Sequence, residues 1–380
     1  MAYQSVDTLQ KALTENVFHY AKDGKKAAGR ALGTMVEIIT FYLLKAWQFE
    51  EYISIERSLV EYGNSDITHN VEYSLHPHLQ SMRVSIENTG KTITAKRILR
   101  QLEREGLLPV GFREKSTTLL TADGIMRNGC VIAVGDSSLF LARIEQITGE
   151  YVHILVYEQH KKPFAMFECK RVGVEEGQTK GPQTIEKAKQ GAYVARSASS
   201  LQKIRTETGE LHGILYNSDN SFIIKPYHQL LEEVIATDKA ELLRRFIVTV
   251  GIVSNHGNWF TAENQNKELK VLAQSYDWLL FLTDAGLAQF IEQLLLKPTK
   301  QYQVIQEAFS QSYTAEKKKN QFTKVQMSAD ADKALQAYFA ANLHDIEQWF
   351  NVISPREKTL SILKSELQTL TQKRWQEVLA

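Results

Sequence analysis

The sequence predicts a mixed α/β fold with a C-terminal helical region. Three observations predict it. An apolar helical pattern near residue 30 is followed by a cluster of strand-like runs between 129 and 172. A helical stretch and a β-branched apolar run come next, through residue 254. Beyond about residue 275 the periodicity is helical to the end. The core order is therefore α-β-β-β-α-β.

Residues 30–48, RALGTMVEIITFYLLKAWQ, set Leu32, Met35, Val36, Ile39, Leu43 and Leu44 at spacings of three and four, one buried face. Glu37 interrupts that apolar run. Residues 50–85 contain alternating patches, YISIERSLVEYG and THNVEYSLHP, which read as short strands or extended loops. Residues 91–106 form an amphipathic helix with Ile98, Leu99 and Leu102 on one face. Lys96, Arg97, Arg100 and Arg104 crowd the other faces, and Gly106 stops it. The runs GCVIAVGD, SLFLARIEQI, YVHILVYEQ and FAMFECKRV follow, the last three separated by TGE and HKKP. That spacing predicts an antiparallel meander. Residues 181–205 turn helical, with Pro182 near the start and a face of Ile185, Ala188, Ala192, Ala195 and Ala198. FIVTVGIVS (246–254) reads as a buried strand ending in the turn-like NHGN. The tail is read as helices, with TAEKKKNQFTK (314–324) as a linker. The expected division is 1–275 and 276–380.

Composition bounds the function. At 380 residues with 43% hydrophobic and 23% charged, the chain is an ordinary globular protein of two or three domains. A formal net charge of +1 excludes a polybasic binder but leaves room for a local basic face. No run reaches the 18 apolar residues that span a bilayer, and the start lacks a secretory pattern. Cys130 and Cys169 make neither a disulfide framework nor a zinc site. The expectation is a cytoplasmic protein that does not enter membranes. No GxxxxGK[ST] loop occurs, which argues against ATP, and no GxSxG elbow occurs.

The central chemical signal is PFAMFECKRVG (163–173). A strand ends in Glu168-Cys169-Lys170, and alternation points Glu168 and Lys170 to the same face. A carboxylate there can hold a divalent cation through oxygen. A lysine beside it can orient a water or stabilise charge on a phosphate.

In this context, FECKRVG followed by the helix KGPQTIEKAKQGAYVAR resembles the PD-(D/E)XK nuclease superfamily, type II restriction endonucleases in particular. The resemblance covers roughly residues 30–260. It implies a restriction-endonuclease-like core, Mg²⁺ as cofactor and hydrolysis of double-stranded DNA within a restriction-modification setting. It makes Glu168 a metal ligand and Lys170 the residue that orients water or phosphate. It also makes Glu37 an accessory catalytic carboxylate, and sets Gln190 near the cleft. The family's first acidic residue, usually an Asp after Pro, has no Pro-Asp counterpart in this chain.

Asp136, Glu145, Glu150 and Glu158 are the candidates to replace it. If YVHILVYE and FAMFECKR form a hairpin, Glu168 lies opposite His153, and Glu150 falls at the same end, about 5–8 Å away. Glu150 is therefore the first choice as catalytic residue and metal ligand with Glu168. Asp136 is the alternative if the strand order differs.

Lys96, Arg97, Arg100 and Arg104 are candidate DNA contacts among N-terminal DNA-contacting elements, as are Asn255 and His256 after the buried strand. The 91–104 segment has some likeness to a winged helix. His76 and His78 form an H-x-H too small for a zinc site. A homodimer suits cutting both strands of a palindromic site. The rival readings are a repair or resolvase-like nuclease of the same superfamily, and a non-catalytic DNA-binding protein.

Overall fold

The computed structural model describes residues 6–16, 24–59, 70–172, 199–217, 219–255, 267–313 and 320–379, with single positions 65, 193 and 197. The fold is mixed α/β, with several sheets and C-terminal helices.

Helices α1 (Val6–Asn16) and α2 (Gly24–Ala46) precede β1 (Ile53–Arg57) and β2 (Val71–Leu75). Strands β3 (His78–Glu87) and β4 (Ile93–Thr94) lead into α3 (Ala95–Arg104). Four short strands follow: β5 (Arg113–Glu114), β6 (Thr118–Leu120), β7 (Ile125–Arg127) and β8 (Cys130–Val134). Next come β9 (Ser138–Ile147), β10 (Tyr151–His160), β11 (Ala165–Val172), β12 (Leu201–Arg205), β13 (Leu211–Tyr216) and β14 (Phe222–Pro226). Helix α4 (Tyr227–Ala236), β15 (Val248–Asn255), α5 (Lys267–Ser275) and β16 (Trp278–Leu282) continue the chain. It ends through α6 (Asp284–Ile291), α7 (Gln303–Tyr313), β17 (Gln326–Ser328), α8 (Ala329–Ala341), β18 (Phe350–Ser354) and α9 (Leu360–Thr371).

Two compact units share these elements. The first is Met1–Ile55, His78–Lys161 and Asp284–Trp349; the second is Glu56–Pro77, Lys162–Thr283 and Phe350–Ala380. The tail 276–380 is thus divided between the two, and it holds three strands as well as helices. WLLFL of β16 is a short apolar run buried at every residue, a pattern that periodicity alone does not separate from helix.

The first unit carries an antiparallel sheet of order β3-β10-β9-β8-β5 and a small sheet of order β17-β7-β6-β4. Helix α3 starts at Thr94, whose side chain accepts from the Arg97 amide at 3.4 Å. It buries Ile98, Leu99 and Leu102, as its sequence period requires. In α2, residues 27–46 are long and apolar enough to cross a membrane by length and composition, yet 67% of that window is buried within the protein. Its far end is tied down by polar bonds: Tyr42 donates to Asp332 at 2.6 Å, and Lys45 lies 3.2 Å from Asp332 and 2.9 Å from Glu50.

The second unit is built on a sheet of order β1-β2-β11-β15-β16-β18, which the chain enters through β1. β11 runs antiparallel to β2 and parallel to β15; β15 is parallel to β16, and β16 antiparallel to β18. Central strands buried on both faces read as continuous apolar runs, which is how VTVGIVS and WLLFL look. A smaller sheet, β12-β13-β14, holds residues 201–205, which the sequence assigned to the end of a helix. They pair as a strand with 211–215, turning at Gly209 with φ +84°. Most of the expected helix 181–198, including Gln190, lies outside the described residues.

The expected meander is corrected here. β10 does not form a hairpin with β11. It pairs instead with β3, from Tyr151↔Glu87 to Glu158↔Gln80, and with β9 on its other side. β3 and β10 are both ten residues long. The short QHKKP stretch carries the chain out of one sheet and into another.

Candidate metal centre

The site grows from β11 and its two neighbours in the second unit. Along AMFECKRV, Ala165, Phe167 and Cys169 point to one face and are buried, while Met166, Glu168 and Lys170 point to the other. On β2, Phe167 pairs with Tyr73, so one further step of antiparallel register sets Glu168 opposite Glu72. The Glu72 amide donates to Glu168 Oε2 at 3.4 Å, which holds the two residues side by side. On the other flank, Glu168 pairs with Gly251 of β15.

Three charged groups meet on this face. Lys170 Nζ is 2.6 Å from Glu168 Oε1 and 4.0 Å from Glu72 Oε2. The Glu168 and Glu72 side chains are 2% and 7% exposed, whereas Lys170 is 30% exposed, so the ammonium is the solvent-side member. Two carboxylates held this deeply are costly unless a cation and hydrogen bonds compensate them. The neighbouring wall is apolar. A Cβ at Gly251 would fall 2.5 Å from the Tyr276 ring, and Tyr276 packs with Val253, Leu269, Leu272, Leu279, Phe281 and Ile353. Low-dielectric surroundings strengthen the charge interactions beside them.

Glu72 is not legible as a partner of Glu168 in the sequence, because it lies 96 positions away and meets Glu168 only through the pairing of β2 with β11. The signal was present: in VEYSL a carboxylate sits inside a strand buried at all five positions. Lys, Glu, Arg and Asp are rarely buried without a partner.

The other candidates take separate places. Glu150 and Asp136 lie in the first unit. Glu150 stands in the turn before β10, where its carbonyl accepts from the Asn88 amide at 2.7 Å. Asp136 is exposed in the turn before β9, its carbonyl accepting from Lys161 Nζ at 2.8 Å. Neither is on a strand paired with β11, so the register argument for Glu150 falls with the hairpin. Glu145 pairs with Arg83 at 3.2 Å, and Glu158 accepts from Gln80 at 2.7 Å. Glu37, on α2, pairs with Lys324 at 3.3 Å. Lys96, Arg100 and Arg104 are exposed on α3, and Arg97 is half-buried. Asn255 closes β15, while His256 lies outside the described residues, as do residues 314–319 of the expected linker. His76 is buried with its Nε2 2.7 Å from Ser74 Oγ; His78 lies 3.6 Å from Glu51.

A second buried polar cluster lies in the same unit. Asp277 accepts from the Thr249 amide at 2.7 Å, from Thr249 Oγ1 at 2.9 Å and from the Tyr227 hydroxyl, and Lys203 Nζ is 3.7 Å away. Lys203 also donates to the Tyr276 carbonyl at 2.5 Å. Burial pulls the Lys203 ammonium below its usual range despite Asp277 beside it. Asp277 has donors on every side, which marks the cluster as a brace between β12, α4, β15 and β16.

Among the described residues, no group of three or more His, Cys, Asp and Glu side chains could hold a metal ion. Glu72 and Glu168 are two carboxylates, and two suffice for Mg²⁺, which keeps several waters and takes phosphate oxygens as further ligands. The donor chemistry therefore fits that ion. No family model matches the chain, and neither a curated protein nor a solved structure does.

Proposed function

We propose that the chain is a Mg²⁺-dependent endonuclease acting on double-stranded DNA, of the PD-(D/E)XK type, with Glu72, Glu168 and Lys170 as its catalytic group. The observation that carries this reading is the meeting of those three side chains on adjacent strands, with Lys170 Nζ 2.6 Å from Glu168 and 4.0 Å from Glu72. The order α2, β1, β2, β11 and β15 supports it, with β12, β13, β14 and α4 inserted between β11 and β15. Glu72 fills the role sought for Glu150 or Asp136, and Glu replaces Asp without loss of oxygen donors.

Glu72 and Glu168 would hold Mg²⁺ through carboxylate oxygens. When bound, the ion would supply Lewis-acid stabilisation of the charge developing on the phosphoryl group. Lys170, on the solvent side, would hold the attacking water or a non-bridging phosphate oxygen through Nζ. The water oxygen bonds to phosphorus as the bond to the 3′ oxygen breaks, and that oxygen takes up a proton. Tyr276 and the apolar residues packed with it limit water on that flank. A two-fold dimer would place two such sites on the two strands.

The test is digestion of a sequenced plasmid with Mg²⁺, followed by sequencing of the fragment ends. Ends at one shared motif, absent in Glu168→Gln and Lys170→Ala, support a restriction enzyme. Full cleavage by Lys170→Ala would sink the site.

A further inference from the structure

The first unit carries a concave surface of its own. A cleft of about 780 Å³ lies between α3 and the strand ends around Glu87 and Tyr151. Arg97, Arg100 and Arg104 line it, at offsets of three and four that share one helical face. Helix α3 carries four basic residues and one acidic, so its field is positive even in a chain of net +1.

The cleft is firmly built. The Arg97 guanidinium donates to the Glu87 carbonyl at 2.7 Å, tying helix to strand. Asn88 donates from its amide to the Glu150 carbonyl and from its side chain to the Thr148 carbonyl, each at 2.7 Å. Arg100 and Arg104 are exposed, and among the described residues neither has a carboxylate partner. They are one helical turn apart, about 6 Å of rise, close to the separation of neighbouring phosphates on one strand. Across from them, Tyr151 is 44% exposed and lies against His153, whose Nδ1 is 2.9 Å from Ser85 Oγ. A tyrosine hydroxyl beside guanidinium groups suits contact with the phosphates and sugars of a duplex backbone. The carboxylates of Glu87 and Glu150 also line the cleft and reduce its charge without cancelling it.

We propose that this cleft grips the phosphate backbone of duplex DNA, so that holding the substrate is a task of the first unit and hydrolysis a task of the second. The choice of polyanion rests on the nuclease reading above.

The experiment measures binding of the full chain to a labelled 40-base-pair duplex of mixed sequence, without Mg²⁺, over a range of salt. The double variant Arg100→Ala/Arg104→Ala is expected to bind at least about tenfold more weakly near 0.1 M salt, with a log–log salt slope shallower by about 2. Lys11→Ala/Lys297→Ala removes equal charge from exposed positions outside the cleft and should leave both unchanged. Unaltered affinity and slope in the arginine variant, or equal weakening in the control, overturns the proposal. Plasmid cleavage with Mg²⁺ is run in parallel. Cleavage lost in Glu168→Gln, with binding intact in the arginine variant, overturns the cleft and keeps the nuclease. Binding lost in the arginine variant, with no cleavage by the wild type, keeps the cleft and removes the nuclease.

Discussion

Glu72 enters the candidate centre only through its position on β2, yet its substitution should cost as much as that of Glu168. Glu72→Gln, Glu168→Gln and Lys170→Ala are each expected to lower Mg²⁺-dependent cleavage by about 10²–10⁴-fold, the usual span for a positioned acid–base or charge-stabilising group. Glu150→Gln and Asp136→Asn should both cleave at the wild-type rate, and loss of activity in either would put that carboxylate in the centre instead of Glu72. Metal binding has a readout apart from activity. An ion that binds only the folded chain raises its melting temperature. Mg²⁺ should therefore raise the wild-type Tm and leave Glu72→Gln/Glu168→Gln unmoved. Of this centre, Glu168 and Lys170 were legible in sequence, because alternation along one strand fixes their shared face. Glu72 was not, because pairing between strands 96 positions apart is a tertiary fact.

At the scale of elements, the close packing of α5 on β15 and β16 sets limits that can be measured. Gly251 has no room for a Cβ, since the Tyr276 ring would lie 2.5–2.9 Å from it. Gly251→Ala should destabilise the second unit by about 1–3 kcal/mol in urea unfolding, the cost of overpacking. The brace around Asp277 should be less forgiving. Asp277→Ala leaves Lys203 buried beside an unfilled carboxylate position and should cost about 3–5 kcal/mol. A loss below 1 kcal/mol would show that the cluster bears no strain of that kind. Strand β10 shows how an element can be read correctly and placed wrongly. Its alternation was clear, but local order cannot say whether β3 or β11 will be its partner. β3 offered nine paired positions, whereas β11 is buried on both faces and sits between β2 and β15.

At the scale of the molecule, charge and pH act through a few buried groups rather than through the net +1. Glu366 on α9 accepts from the Trp278 indole at 2.9 Å and from Lys358 at 2.7 Å. Burial nevertheless lifts its carboxyl above the usual 4.5, with Lys358 and Trp278 opposing. A raised folded pKa gives a contribution that is complete below the unfolded value and lost as pH rises through the folded one. The stability of the wild type relative to Glu366→Gln should therefore fall as pH rises from about 4 toward neutrality. A difference that stays flat across that window would count against the assignment.

The mixed α/β class, the helices α2 and α3, the strand FAMFECKRV and the shared face of Glu168 and Lys170 are legible in the amino-acid sequence. Each follows from periods of 3.6 or 2, which are local properties of the chain. The rest depends on which distant segments meet. The tertiary structure paired β10 with β3 and β11 with β2, and so set Glu72, not Glu150, beside Glu168. It also laid the two units across one another in sequence, with the tail shared between them. The physical reason is that strand pairing and burial reward contacts between distant segments, and a period repeated along one segment carries no information about which distant segment it will meet.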